Sequence, residues 1–258
     1  MENIVGLIPA FLLIFIRILT YFLVIPVFSY RAVPVAARIG LAFFLAYTMV
    51  FTVEIGRISF EDDLYILLLV KEVLTGLALG LFGYIIFSAI QTAGGFMDFQ
   101  MGFAIANVID PQTGAQSPIL GQFLYIFAIL FLFSVNGHHL LIDGIYHSYQ
   151  FIPLESLSLA FGENSTIMLI TKAFAAMFVV SFQISIPIVG SIFLVDLALG
   201  LVARTVPQIN IFIVGLPVKI LVSFILLFFV VGSMIFSVRD LFELLLYSLR
   251  DFMKILGQ

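Results

Sequence analysis

His139, Asp143 and His147 recur every fourth residue in HHLLIDGIYH, which places all three on one face of a helix. Imidazoles and a carboxylate in such a stripe are the ligand set of a transition-metal site. Gly144 lies within the stripe, however, and Asn136-Gly137 marks a turn just before it. The reading taken is a polar patch at a membrane surface, with no metal and no cofactor expected. No HExxH, GxSxG or P-loop occurs. No catalytic residue is assigned, and enzyme function is not expected.

The remaining chemistry lies in isolated charges inside apolar runs, where an ionisable residue is costly and calls for a partner. Arg17 is deepest, and its bland reading is a structural pair with a carboxylate of a neighbouring helix. Lys71-Glu72 stands near the start of a later run, where snorkelling to the interface is the simple reading. Asp196 and Arg204 are eight residues apart, two turns along one helix face. They suit either a partner interface or a helix end at the membrane surface. Lys219 follows Pro217 and opens a new apolar run, so snorkelling is again the plain alternative.

The elements carrying these residues are membrane-like. The chain is 63% hydrophobic and 10% charged, against roughly half apolar and about 25% charged in soluble domains. No Asp, Glu, Lys or Arg falls between Glu72 and Asp98, Asp110 and Asp143, Lys172 and Asp196, or Lys219 and Arg239. Each interval approaches or exceeds the roughly 20 residues that cross a hydrocarbon core. A net charge of −4 from scattered residues argues against nucleic-acid binding. The chain has no cysteine, so disulfides and thiolate metal sites are excluded.

The pattern predicts an all-α integral membrane protein of about six long, kinked hydrophobic helices, near 4–28, 33–55, 64–92, 119–149, 166–203 and 208–250. The first is expected to be an uncleaved span. Asn136-Gly137 can interrupt the fourth element and Pro187 can kink the fifth. As one helix the fifth would be roughly 57 Å long, against a core of about 30 Å. Positive-inside asymmetry is weak, so orientation is not assigned. Gly76-Leu-Ala-Leu-Gly80 predicts close helix packing, without naming the neighbour.

Between Gly94 and Pro118 the sequence GGFMDFQMGFAIANVIDPQTGAQSP breaks the apolar pattern with two aspartates, four glycines and two prolines. Irregular backbone is tolerated at membrane depth only where protein buries it or where it lines a cavity. The stretch is therefore either an outside loop or the working part of a pore.

This stretch and VDLALGLVARTVPQINIFIVGLPVKI, from Val195 to Ile220, together resemble the FliR/SctT family of type III export-gate proteins. The first matches D-x-Q-M-G-F-A and D-P-x-x-G-x-Q-x-P. The second matches A-R-x-x-P-Q-x-N-x-F-x-x-G-x-P-x-K, and element order agrees over essentially the whole chain. The resemblance implies a FliP-like part over 1–165 followed by a FliQ-like helical hairpin over 166–258, turning at Arg204 to Lys219. It implies a subunit of the flagellar export gate that helps form and close the pore for unfolded flagellar proteins. The implied plug is Met101, Gly102, Phe103, Ala104, Ile105, Asn107, Val108, Ile109, Asp110, Pro111, Gly114 and Gln116. The implied partner interface is Asp196, Arg204, Pro207, Gln208, Asn210, Pro217 and Lys219.

Implied partners are FliP-like and FliQ-like subunits in a hetero-oligomer, FlhB-like and FlhA-like export components, unfolded cargo proteins and membrane lipids. The implied location is the bacterial inner membrane, in the flagellar basal body. An injectisome subunit of the same family is the alternative, and a small-solute secondary transporter a more distant one.

Overall fold

A computed structural model describes residues 6–30, 32–53, 58, 60, 64–103, 118–159, 163–206, 208 and 210–257. Among them the regular structure is entirely helical, as expected of an all-α membrane protein. The order is α1 (Ile8–Val24), α2 (Val35–Met49), α3 (Tyr65–Phe87), α4 (Ala89–Met101), α5 (Ile119–Ser134), α6 (Gly137–Phe151), α7 (Asn164–Thr205) and α8 (Ile211–Leu256). Three stretches are long and apolar enough to cross a bilayer, Tyr65–Met101, Asn164–Thr205 and Ile213–Leu256, and α5 with α6 would make a fourth.

Among the described residues the six sequence elements become eight helices, for local reasons. The fourth run breaks at Asn136, which takes a left-handed conformation at φ 57°, a region asparagine tolerates better than most side chains. The third run continues beyond residue 92 as α4, so the polar break begins at Gly102 and not at Gly94. α1 and α2, at 17 and 15 residues, are shorter than the runs suggested. At about 1.5 Å per residue, α7 and α8 reach roughly 63 Å and 69 Å. Pro187 sits inside α7 without ending it, and the Ser191 hydroxyl donates to the Pro187 carbonyl at 2.7 Å.

The chain forms two compact, discontinuous units, one of residues 1–87, 135–174 and 243–258, the other of 88–134 and 175–242. In the first, α3 lies directly on α1. A Cβ at Gly76 would fall 2.0 Å from Thr20 Oγ1 and 2.4 Å from the Arg17 carbonyl oxygen, and one at Gly80 2.9 Å from Val24 Cβ. The small-residue stripe thus has its neighbour: α1 packs where α3 has no side chains. Tyr21 and Tyr149 donate from their hydroxyls to the Leu141 and Ile14 carbonyls at 3.2 and 3.4 Å. Phe82 stacks on Phe252 at 4.4 Å, seating the end of α8 on α3.

A buried charge cluster lies in this unit. Arg17 and Glu72 are fully buried and Lys71 is 3% exposed. Arg17 grips Glu72 with a two-pronged fork, Nε to Oε2 and Nη2 to Oε1, the latter at 2.9 Å. The guanidinium also donates to Ser148 Oγ at 3.1 Å and the Ile152 carbonyl at 2.9 Å, and lies 4.1 Å from the Tyr149 ring centroid. Lys71 pairs with Glu72 and donates to the carbonyls of Pro153 and Leu154 at 2.8 and 3.1 Å. The pairing expected for Arg17 is present. Snorkelling at Lys71-Glu72 is not, because both charges turn inward to a guanidinium and to carbonyls just past the end of α6.

In the second unit α4 and α5 touch backbone to backbone. A Cβ at Gly94 would lie 2.1 Å from Gly121 Cα and 2.3 Å from Gly121 N. Gly94, which reads as a helix breaker in sequence, is helical because only hydrogen fits at this crossing.

Candidate functional site: the anchored base of the 104–117 segment

The plug residues Ala104, Ile105, Asn107, Val108, Ile109, Asp110, Pro111, Gly114 and Gln116 lie outside the described residues, as does Pro207 of the expected interface. The structure does describe both ends from which the 104–117 segment departs.

At the first end, α4 stops in a Schellman arrangement. Gly102 is left-handed at φ 92°, its N–H donates to the Phe99 carbonyl at 3.2 Å, and the Phe103 N–H donates to the Asp98 carbonyl at 3.0 Å. Glycine is favoured there by conformation, and a Cβ would press on Leu216 Cδ1 at 3.0 Å. Met101 is buried, and the Phe103 ring meets Phe224 edge-on at 6.4 Å. These contacts set Gly102 and Phe103, two of the expected plug residues, against α8.

At the second end, Pro118 leads into α5. The Asp98 carboxylate, 5% exposed, accepts the Leu120 N–H at 3.0 and 3.3 Å. A carboxylate at a helix N-terminus satisfies an otherwise orphan N–H and opposes the positive end of the helix dipole. One residue thus serves both ends, through its carbonyl for Phe103 and its carboxylate for Leu120. Sequence reasoning did not single out Asp98 for this capping role. The signal was an aspartate in an apolar run, 22 residues before the N–H it caps.

A polar bridge continues the same face. Gln100 Nε2 donates to Asp196 Oδ2 at 3.0 Å, and Lys219 makes an ion pair with Asp196. Both charged side chains are about one-quarter to one-third exposed, at 24% and 33%. Asp196, on α7, therefore holds α4 and α8 together, and the snorkelling alternative for Lys219 is replaced by this pair. α7 ends at Thr205 and α8 begins at Ile211, so Pro217 and Lys219 are helical residues of α8. The Asn210 carbonyl accepts the N–H groups of Ile213 and Val214 at 3.1 and 3.2 Å and starts that helix. Arg204 ends α7 as an exposed last-turn cation, suited to the helix dipole. Gln208 and Asn210 are exposed in the turn, and Pro217 is exposed on α8.

The histidine stripe lies in the other unit. His147 and Asp143 are surface-exposed and 3.5 Å apart, and His147 Nδ1 meets Gln150 Oε1 at 3.2 Å. Among the described residues no group of three His, Cys, Asp or Glu side chains could hold a metal.

Both ends of a polar segment are thus fixed on a scaffold of apolar helices, by backbone bonds, a helix cap and an ion pair. The arrangement suits a segment whose two flanking ends are held in place.

The whole chain can be compared with known proteins. Residues 8–245 match the model for bacterial export proteins, family 1. The flagellar biosynthetic protein FliR of Bacillus subtilis (strain 168) is 52% identical over 257 residues, covering all of this chain and 99% of that protein. FliR of Escherichia coli (strain K12) is 27% identical over 208 residues, 81% of this chain and 78% of that one. The Yop proteins translocation protein T of Yersinia pestis is 28% identical over 214 residues, 82% and 81% of the two chains. A match that runs almost end to end, and places α1 through most of α8 inside one family model, leaves one conclusion: this chain belongs to the bacterial export protein family 1, the FliR family of type III export proteins.

Proposed function

We propose that this chain is a subunit of the flagellar type III protein export gate and helps to form and close the pore through which unfolded flagellar proteins leave the cell. The observation that carries the reading is the 52% identity to a flagellar biosynthetic protein along the full length of both chains. That match also favours the flagellar role over the injectisome one, for which the named relative is 28% identical. The gate acts as a conduit with no reaction of its own. It sits in the bacterial inner membrane as part of the flagellar basal body.

The partners under this reading are FliP-like and FliQ-like subunits, with FlhB-like and FlhA-like export components beside them. The long helices support it. In each of α7 and α8 only 11% of the most apolar 18-residue window is buried within the chain. Side chains such as Phe228, Phe229, Leu201 and Ile213 are therefore available to lipid or to neighbouring subunits. The 101–116 stretch serves as the plug. Its apolar residues Phe103, Ile105, Val108 and Ile109 would exclude water and ions, as hydrophobic constrictions do.

Co-expression with FliP-like and FliQ-like subunits, followed by intact-complex mass measurement, tests the assembly. A chain that stays monomeric sinks the reading. Deleting 103–109 tests the plug: the assembled gate should form and conduct small ions when reconstituted, and unchanged conductance removes the plug assignment.

A further inference from the structure

The cluster around Arg17 holds one cation more than it needs. Arg17 and Glu72 are a neutral pair joined by two hydrogen bonds in a fork, complete without Lys71. Lys71 nevertheless buries its ammonium, at 3% exposure, beside them. A buried ammonium is costly unless its donors are satisfied. Here the carbonyls of Pro153 and Leu154 accept from Nζ at 2.8 and 3.1 Å. Those carbonyls lie just past α6, which ends at Phe151, and so stand outside its hydrogen-bond ladder. The negative end of the α6 dipole points the same way, toward the Arg17 and Lys71 charges.

We infer that Lys71 is a latch, a buried cation on α3 that locks residues 153–154 ahead of α7, next to the Ile152 carbonyl that Arg17 already holds. Ile152 and Leu154 are buried at 1% and 3%, while the residues from Glu155 to Leu159 are half-buried or exposed. Few apolar contacts remain beyond Leu154 to keep this connection closed. The lysine supplies the closing force through hydrogen bonds to main-chain atoms. It acts through main-chain carbonyls, and arginine, with donors of similar reach, should replace it.

The absence of native cysteine makes a direct test practical. A single thiol is placed by Leu154→Cys in the full-length chain, and its maleimide labelling rate is measured in detergent. A second background, Leu141→Cys, reports a site on α6 that is equally buried, at 3%, and makes no contact with Lys71 through the bonds above. Adding Lys71→Met removes both hydrogen bonds to this connection and should raise labelling at 154 about tenfold or more, since losing even one charge-assisted bond has about that effect on local opening. Labelling at 141 should stay within about twofold, and Lys71→Arg should restore slow labelling at 154. Unchanged labelling at 154 in Lys71→Met overturns the latch. An equal rise at 141 and 154 overturns it too, because it shows general loosening of the unit. Neither result bears on membership of the export gate.

Discussion

Gly94 and Gly95 are neighbours on α4, yet adding one methyl group to each should have opposite effects. A Cβ at Gly94 would lie 2.1 Å from Gly121 Cα, 2.3 Å from Gly121 N and 2.9 Å from the Leu120 carbonyl carbon. All three are backbone atoms, so no side chain can rotate away. To reach ordinary carbon–carbon contact near 3.6 Å, α4 and α5 must part by about 1.5 Å. The Asp98 carboxylate, one turn further along, holds the Leu120 N–H at 3.0 Å. The same separation would carry that bond past about 3.5 Å, where it no longer counts as one. Overpacking costs about 1–3 kcal/mol and the lost bond to a charged group about 1.5–3 kcal/mol. Gly94→Ala should therefore cost about 3–5 kcal/mol, roughly a 10 °C fall in melting temperature for a chain of this size. At Gly95 the nearest atom to a new Cβ is Pro118 Cγ at 3.6 Å, an ordinary contact. Gly95→Ala should gain up to about 1 kcal/mol in helix propensity. Thermal denaturation of the purified chain in detergent compares the two. Equal melting temperatures for both variants would refute the backbone-contact reasoning.

Two further outcomes follow from the charged groups. Glu72→Ala strands Arg17 and Lys71 in the interior and should cost about 3–5 kcal/mol. Membrane fractions should then hold little of that variant by immunoblot, whereas Arg17→Met with Lys71→Met and Glu72→Met should recover much of the level. Lys219→Glu should weaken co-purification with a FliQ-like partner, since it sets two carboxylates against each other at Asp196. If the defect acts through that intramolecular pair, Asp196→Lys added to Lys219→Glu should restore capture. Failure of the swap would assign Lys219 a direct contact with the partner.

Much of this arrangement is legible from residue types, and the rest depends on contacts between distant segments. Charge-free intervals locate the helices because lipid forbids open backbone, so composition alone carries that information. Arg17 announces a partner because a guanidinium in an apolar run needs one, and Glu72 is that partner. Lys71 misleads, since snorkelling and inward pairing have the same sequence signature and differ only in which way the stem turns. Gly94 misleads for a related reason. A glycine beside another glycine and an aspartate resembles a turn, and only Gly121, 27 positions later, explains why the backbone stays helical. The Gln100–Asp196–Lys219 bridge is equally invisible, because three polar residues on three helices have no shared spacing. The histidine stripe shows the converse: regular spacing places groups on one face, yet among the described residues no three of them gather into a ligand cluster.

The Arg17–Glu72 pair also has a meaning during biosynthesis. The two residues are 55 positions apart, and the Ile152 carbonyl that completes the guanidinium's bonds lies 135 positions after Arg17. When α1 leaves the ribosome its arginine faces lipid with no counter-ion, at a cost of about 2.5–3.5 kcal/mol on insertion scales. At 17 residues, α1 is too short to outweigh that easily. Its stable entry into the bilayer is tied to the arrival of α3, and its final seating to that of α6. A chain stopped before residue 152 lacks an acceptor that Arg17 uses, so the seating of α1 waits on residues far downstream of it.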